Sequence, residues 1–220
     1  MMKAQIGQKA PLLSLSDWVQ GKPVNTDQLS GRVVLVEVFQ VNCPGCFLYA
    51  LPQAIDLYQR YSDQGLSVLG VATAFEDFDK NNLENLTHLI KNGTVVGETL
   101  RTLSEQGKLV AGRLPFRIPF PVAMDNLLKR KADVTQDEIE TFIKQRIPNF
   151  EQQTEYYQQR IRQQVQNYYQ SLAYHGETFE LFELQGTPSY ILIDRQGLLR
   201  DSGFGVHPDL EERVLALLQE

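Results

Sequence analysis

Residues 33–46 read VVLVEVFQVNCPGC, an apolar run that contains one acid and ends in two cysteines separated by two residues. Residues 33–39 predict a β-strand with both faces covered, because a strand buried on both sides carries apolar residues at nearly every position rather than at alternate ones. After Cys46, apolar residues recur with helical spacing to about residue 62, so the cysteines lie where a strand ends and a helix begins. Pro52 falls within that helix and predicts a kink, because proline lacks a backbone N–H and clashes with the preceding turn.

The position of the two cysteines favours thiol chemistry. At a helix N-terminus, free backbone N–H groups and the helix dipole stabilise an anion, so a thiolate there has a lowered pKa. Pro44 suits the first helical turn, where its missing N–H costs nothing. We therefore predict that Cys43 is the exposed, attacking cysteine and that Cys46, one turn further in, is buried and resolves the mixed disulfide.

Two other uses of a cysteine pair fit less well. A disulfide that closes a four-residue loop stabilises a fold by only about 2 kcal/mol in the chain-entropy model, against about 4 kcal/mol or more for a hundred-residue loop. A structural zinc site needs four ligands, and the histidines are scattered along the chain at His88, His175 and His207. The pattern favours a redox-active pair and predicts neither a metal nor another cofactor.

The remaining pattern alternates strands with helices, which is typical of an α/β protein. Strands are predicted at 67–73, at 121–124 as a proline-led edge strand, and at 189–194 and 198–204 as a hairpin; helices are predicted at 81–91, 97–106 and 209–218. Residues 1–31 are turn-rich and predict a small hairpin or an edge extension of the sheet. Glu76, Asp77 and Asp79 form an acidic cluster, which we interpret as a solvated loop at a helix start rather than a metal or partner site.

Residues from about 127 to 179 differ in character from the rest of the chain. A capping box at Thr135 and Glu138 predicts a helix that runs toward Arg146. From Phe150 to Leu172, apolar residues recur every three or four positions, which predicts a longer helix with one apolar stripe. Without this segment the chain has an ordinary length for one domain. We therefore predict a single domain, 1–220, enlarged by a helical insertion at about 127–179.

The composition excludes several classes of protein. A hydrophobic fraction of 42% and a charged fraction of 22% are typical of a folded protein rather than a disordered chain. The net charge of −6 argues against a nucleic-acid partner, which needs a cationic surface. Two cysteines are too few for a disulfide-stapled secreted scaffold. No window approaches the roughly 18 apolar residues of a membrane span, and the start lacks the apolar stretch of a signal peptide. We therefore expect a cytoplasmic protein without a membrane span; an exported protein given without its leader would show the same pattern.

Four stretches together carry a resemblance to a known family. They are residues 7–11 (GQKAP), 31–39 (GRVVLVEVF), 43–46 (CPGC) and 186–197 (GTPSYILIDRQG). The sequence resembles the thioredoxin superfamily, and within it the redoxin branch that includes TlpA-like oxidoreductases and AhpC/TSA-type proteins. The resemblance implies a thioredoxin fold, in which helices flank a central mixed sheet. It also implies a thiol–disulfide oxidoreductase that acts on a protein or small-molecule thiol or disulfide and exchanges electrons with a dithiol reductant.

The resemblance implies a substrate-binding surface around the first cysteine. In this family the proline that opens the later strand is cis and faces the disulfide, which implies a cis Thr187–Pro188 bond and a Thr187 backbone that binds an extended peptide. The alternative is that Pro188 is an ordinary proline at the start of a strand, without a cis bond. Asn42 and Pro44, on either side of Cys43, complete the predicted substrate-binding residues.

Glu37 is the third predicted catalytic residue, after Cys43 and Cys46. It lies six residues before Cys43, where thioredoxins place a buried acid. A carboxyl buried on that strand has a raised pKa and can accept the proton of Cys46 during resolution. A salt-bridged glutamate without a catalytic role is the alternative.

Two departures from the family pattern put the transfer of its better-known substrates in doubt. Asn42 replaces the tryptophan that usually precedes the first cysteine. Pro52 lies six residues after Cys46, one more than the usual five.

Two other functions stay open on the sequence alone. One is a redox-sensing adaptor whose disulfide switches an interaction through the helical insertion. The other is a peroxide-reducing redoxin, although the proline and threonine that peroxiredoxins carry seven and three residues before the reactive cysteine are Val36 and Gln40 relative to Cys43.

Overall fold

The computed structural model describes residues 3–129, 135–171 and 174–220. The chain divides into two compact units, one formed by residues up to 127 together with 176–220, and one formed by residues 128–175. Within the described ranges, no helix combines the length and the apolar character that a membrane crossing requires.

The strands form two sheets among the described residues. In chain order they are β1 Leu15–Gln20, β2 Val33–Phe39, β3 Leu66–Ala72, β4 Val122–Asp125, β5 Leu127–Lys129, β6 Tyr174–Gly176, β7 Ser189–Ile193 and β8 Leu199–Phe204. Six of them form a mixed sheet in the order β1-β4-β3-β2-β7-β8. The strand that precedes the cysteines, β2, lies inside this sheet, parallel to β3 and antiparallel to β7. The short strands β5 and β6, which the sequence patterns did not predict, pair with each other.

The helices agree with the predicted ones to within a few residues, apart from the short α6, which was not predicted. They are α1 Leu51–Tyr61, α2 Leu83–Asn92, α3 Gly97–Glu105, α4 Gln136–Arg146, α5 Glu155–Ser171, α6 Glu177–Leu181 and α7 Leu210–Gln219. Local caps explain the bounds of α2: the Asn82 side chain accepts the Asn85 N–H, and Gly93 ends the helix with a φ of +74°.

The prediction that residues 121–124 form an edge strand is wrong. The strand β4 lies between β3 and β1, and β1 is the edge of the sheet. Pro121 precedes β4, so its missing N–H leaves the ladder of that strand intact. The strand β1 pairs with β4 and forms the edge of the sheet, in agreement with the predicted edge extension.

Apolar residues cover both faces of the sheet. Because successive side chains of a strand point to opposite faces, Leu35 and Phe39 belong to one buried cluster, whereas Val34 and Val36 belong to the other. Every residue of β2 is buried, as predicted. By the same alternation Glu37 lies on the face of Leu35 and Phe39, and the cluster on that face contains both cysteines.

The helix after the cysteines begins with an irregular turn. Cys46–Ala50 is π-helical, with the Leu51 N–H donating to the Cys46 carbonyl, and α1 begins at Leu51. Helical backbone is continuous from Pro44 through this turn into α1, so Pro52, the second residue of α1, is preceded by more than one helical turn. Pro52 therefore lies within a helical run, as predicted, and the irregularity of that run is the π turn directly before it. A π turn holds one residue more than an α turn, and this accounts for the extra residue between Cys46 and Pro52.

The second unit has a small apolar core of its own. Its first helix, α4, starts with the predicted capping box, in which the side chains of Thr135 and Glu138 each accept the backbone N–H of the other. The buried core consists of Ile139, Ile143, Phe150 and Val165. The longer predicted helix is α5, which begins at Glu155 rather than at Phe150 because a 3-10 turn, Phe150–Gln152, precedes it. Leu172, the last residue of the predicted stripe, lies outside the described residues.

Candidate active site

Cys43 and Cys46 form a disulfide at the junction between β2 and the following helix, and their Cα atoms are 5.4 Å apart. Helical backbone starts at Pro44, directly after Cys43. The Cys46 N–H donates to the Cys43 carbonyl oxygen at an N···O distance of 3.1 Å, and its nitrogen lies 3.3 Å from the Cys43 Sγ. An amide in the first turn of a helix stabilises an anion, so this N–H is placed to stabilise a thiolate on Cys43 once the disulfide is reduced.

The two cysteines differ in their access to solvent. Cys46 is fully buried, as predicted, whereas Cys43 keeps 9% of its surface. The prediction that Cys43 is exposed is therefore too strong. Its Sγ lies only 3.5 Å from the carbonyl oxygen of Thr187, in the segment before β7.

The segment before β7 faces the disulfide. The Thr187–Pro188 peptide bond is cis, which confirms the prediction. Pro188 also approaches the turn between the cysteines: a Cβ placed on Gly45 would lie 3.7 Å from the Pro188 Cδ. Thr187 and Pro44 are half-buried, so both keep some surface beside the disulfide.

Glu37 is a buried acid on β2. It is 2% exposed, and its Oε1 has no hydrogen-bond partner among the described residues. Burial raises the pKa of the Glu37 carboxyl well above its usual range. A carboxyl of this kind holds its proton to a higher pH than an exposed one, so it can exchange a proton with a thiol.

Tyr190 is the cross-strand partner of Glu37 on β7 and was not predicted to belong to the site. Directly paired residues point to the same face of a sheet, and Tyr190 is 2% exposed. Its hydroxyl donates to Asp201 Oδ2 at 2.6 Å and accepts from Arg213 Nη1 at 3.0 Å. Burial and the bond to Asp201 raise the pKa of the Tyr190 hydroxyl, so this residue stays neutral beside Glu37.

The side chain of Asn42 points into the fold. It is 8% exposed, its Nδ2 donates to Asp77 Oδ2 at 2.7 Å, and its Oδ1 accepts the Glu98 N–H at 2.7 Å. Sequence patterns do not indicate these contacts, because Glu98 is 56 residues away along the chain. The contact of Asn42 with a substrate stays a prediction.

The acidic loop is joined to the site through one of its three carboxylates. Asp77 holds Asn42, whereas Asp79 is 73% exposed and pairs with Lys80 at 2.8 Å. Burial and the charge of Asp77 raise the pKa of the Glu76 carboxyl. Among the described residues, no group of three or more His, Cys, Asp or Glu side chains is arranged to hold a metal ion.

A mixed sheet flanked by helices, with a disulfide at a helix start facing a cis proline, defines a protein of the thioredoxin fold with a CxxC site. The sequence model of the redoxin family matches residues 5–137. The chain belongs to the redoxin family.

Individual relatives agree with this assignment. Protein DipZ of Mycobacterium bovis is 27% identical over 123 residues, which are 54% of this chain and 14% of DipZ, so the chain spans about one seventh of the length of that relative. A thiol-disulfide isomerase from Corynebacterium glutamicum is 27% identical, with a TM-score of 0.58 over 96% of this chain and 97% of the other. A thioredoxin-like superfamily protein, 23% identical with a TM-score of 0.59 over 97% and 98% of the two chains, shares the fold.

Proposed function

We propose that this protein is a thiol–disulfide oxidoreductase that uses Cys43 and Cys46 as its reacting dithiol. The observation that carries the proposal is the disulfide at the start of a helix, with the Thr187 carbonyl 3.5 Å from the outer sulfur. A loop this short gains little stability from a disulfide. The family of the chain and the name of its Corynebacterium relative, a thiol-disulfide isomerase, support the same function.

The proposed reaction has two exchange steps. In the first, the Cys43 thiolate attacks one sulfur of a substrate disulfide, and the other substrate sulfur leaves as a thiolate. In the second, Cys46 loses its proton and attacks the Cys43 sulfur, which forms the Cys43–Cys46 disulfide and releases the reduced substrate. The substrate is reduced by two electrons and the protein is oxidised by two; a dithiol reductant restores the protein, and the reverse sequence oxidises a substrate dithiol.

Glu37 is proposed to accept the Cys46 proton in the second step. A general base works best when its pKa lies near the operating pH, and burial moves the pKa of Glu37 upward from the ordinary carboxyl range. Cys46 is fully buried, so water is a poor alternative acceptor.

Four residues around the disulfide are proposed to contact the substrate: Asn42, Pro44, Thr187 and Pro188. An extended peptide laid along the Thr187 backbone would place its sulfur next to Cys43 in the manner of an added strand. A protein or small-molecule disulfide is the proposed substrate. The cytoplasmic location and the resemblance to TlpA-like oxidoreductases stay predictions.

We further propose that residues 1–220 form one redoxin domain with a helical insertion at about 127–179. The six-stranded sheet supports this, because it takes β1 to β4 from before the segment and β7 and β8 from after it.

A trapping experiment tests the proposed function. Cys46→Ser removes the resolving thiol, so disulfide substrates should stay attached to Cys43 and come off with dithiothreitol. Cys43→Ser is the matched control and should trap nothing. The proposal is wrong if the trap stays empty and the wild-type protein does not accelerate the reduction of a small disulfide by dithiothreitol. In that case a redox-sensing adaptor becomes the better interpretation, and Cys43-dependent consumption of peroxide would instead favour a peroxide-reducing redoxin.

A further inference from the structure

The residue before the attacking cysteine is tied to two distant segments. The Asn42 backbone N–H donates to Asn81 Oδ1 at 2.8 Å, and its side-chain Nδ2 donates to Asp77 Oδ2 at 2.7 Å. Its Oδ1 accepts the N–H groups of Glu98 at 2.7 Å and Thr99 at 3.4 Å. One residue therefore joins the loop after β3 and the start of α3 to the active-site turn.

Asn42 does for α3 what a capping residue does for most helices. The residue at the N-cap position of α3, Val96, makes no side-chain hydrogen bond to the helix. The first N–H groups of a helix need acceptors, and here the acceptor is Asn42 Oδ1. The contact is reinforced by the buried Thr99, whose hydroxyl donates to the Val41 carbonyl at 3.0 Å.

The two partner segments adopt unusual backbone conformations around Asn42. Gly97 has a φ of +56°, and a Cβ on this residue would collide with Asn42 Oδ1 and come within 2.6 Å of Lys80 Cδ. Asp77 has a φ of +47°, in the left-handed region that aspartate and asparagine tolerate best after glycine. The loop is also closed on itself, because Asn81 Nδ2 donates to the Glu76 carbonyl at 2.9 Å.

The N–H groups of α3 need an acceptor and the Asp77 carboxylate needs a donor, so the side chain at position 42 must carry one of each. An aspartate would keep the acceptor for α3 but would place a second carboxylate against Asp77. An alanine would leave the N–H groups of Glu98 and Thr99 without this acceptor. The amide of Asn42 satisfies the helix and the carboxylate together.

We propose that Asn42 is a positioning residue for Cys43: by anchoring the backbone before this cysteine to Asp77 and to the start of α3, it holds the Cys43 sulfur within reach of Cys46. The inference rests on the proposed dithiol chemistry of the two cysteines. It assigns to Asn42 a role that does not require contact with a substrate.

The measurable consequence is the ease with which the disulfide forms. In the glutathione equilibrium, the protein dithiol and oxidised glutathione give the protein disulfide and two molecules of reduced glutathione, so the constant reports the effective concentration of one protein thiol at the other. Asn42→Ala should lower this constant about tenfold, which corresponds to about 30 mV. A side chain that only stabilises the fold would shift the unfolding midpoint and leave this constant unchanged in the folded protein.

A double-mutant cycle with Asp77 tests the mechanism. Asp77→Gly removes the acceptor, suits the left-handed backbone and leaves the cap on α3 in place; it should lower the constant about threefold. Asp79→Gly is the matched control, because it removes the same charge from the same loop without touching Asn42, and it should change the constant by less than a factor of two. In the Asn42→Ala background, Asp77→Gly should have no more effect than Asp79→Gly.

Three results would overturn the inference: an Asn42→Ala constant within twofold of wild type, equal effects of Asp77→Gly and Asp79→Gly, or full additivity of Asn42→Ala with Asp77→Gly. If Asn42→Ala does not fold, the comparison of Asp77→Gly with Asp79→Gly decides alone. A wild-type protein that does not equilibrate with glutathione would instead refute the proposed function.

Discussion

Replacing Glu37 by glutamine should make the protein more stable and at the same time a poorer catalyst. The wild-type carboxyl is buried, and its Oε1 lacks a partner among the described residues. Glutamine has nearly the same shape but carries no charge, so its burial does not remove a charged group from water. The variant therefore separates the charge of Glu37 from its packing.

The gain in stability should depend on pH. In the unfolded chain Glu37 ionises at the ordinary carboxyl pKa, whereas in the folded protein burial raises its pKa well above that value. The unfolded state therefore binds fewer protons in the window between the two pKa values, and wild-type stability falls there by about 1.4 kcal/mol per pH unit from this group. Below the window Glu37 is protonated in both states, so wild type and Glu37→Gln should differ little.

Urea unfolding of the oxidised proteins at a series of pH values measures this difference. The oxidised form is used because its cysteines do not titrate. Glu212→Gln, at an exposed position of α7, is the matched control and should change the free energy of unfolding by less than about 0.5 kcal/mol. A constant difference between Glu37→Gln and wild type from acid to alkaline pH would refute the assigned cause of the pKa shift.

The loss of catalysis should be confined to the second exchange step. Reduced protein mixed with an aromatic disulfide releases one coloured thiolate when Cys43 attacks and a second when Cys46 resolves. Glu37→Gln should leave the first phase within twofold of wild type and slow the second about a hundredfold, the contribution of a positioned base. If both phases keep their wild-type rates, Glu37 is a structural residue and the proposed proton transfer is wrong.

Two further predictions concern a buried carboxyl of β4 and the contact between Gly97 and Asn42. Asp125 is fully buried and accepts hydrogen bonds from Thr73 Oγ1 at 2.7 Å, the Thr178 N–H at 2.8 Å and the Phe179 N–H at 3.2 Å. Asp125→Ala should lower the free energy of unfolding in urea by about 3 kcal/mol, because it leaves these buried donors without an acceptor. An unchanged unfolding midpoint would contradict this account. Gly97→Ala should lower the unfolding free energy by about 2 kcal/mol or more through its positive φ and its collision with Asn42. Gly107→Ala, with a φ of +63° but open space around it, should cost only about 1 kcal/mol, and equal effects at the two glycines would show that the contact with Asn42 does not matter.

The parts of the site that follow from local sequence were predictable, and the parts made by distant contacts were not. An apolar run interrupted by Glu37 predicts a covered strand with a buried acid, and the adjacent cysteines place the disulfide at the next helix start. The position of β4 inside the sheet depends on β1, which is about a hundred residues away along the chain and reaches it only in the folded protein. The contact between Asn42 and α3 is of the same kind, since no periodicity links the two segments.

The two departures from the family pattern flank the dithiol on opposite sides, and the structure gives each one a local explanation. Before Cys43, the asparagine that replaces tryptophan bonds to Asp77 and to the start of α3. After Cys46, the additional residue is accommodated by the π turn Cys46–Ala50, and Pro52 follows this turn in α1. Neither change moves the cysteines from the helix start or from the cis proline that faces them. The order of attack and resolution depends on the burial of Cys46 and the access of Cys43, and neither departure changes these. Differences from other redoxins should therefore appear in the surface that contacts the substrate and in the equilibrium constant of the disulfide.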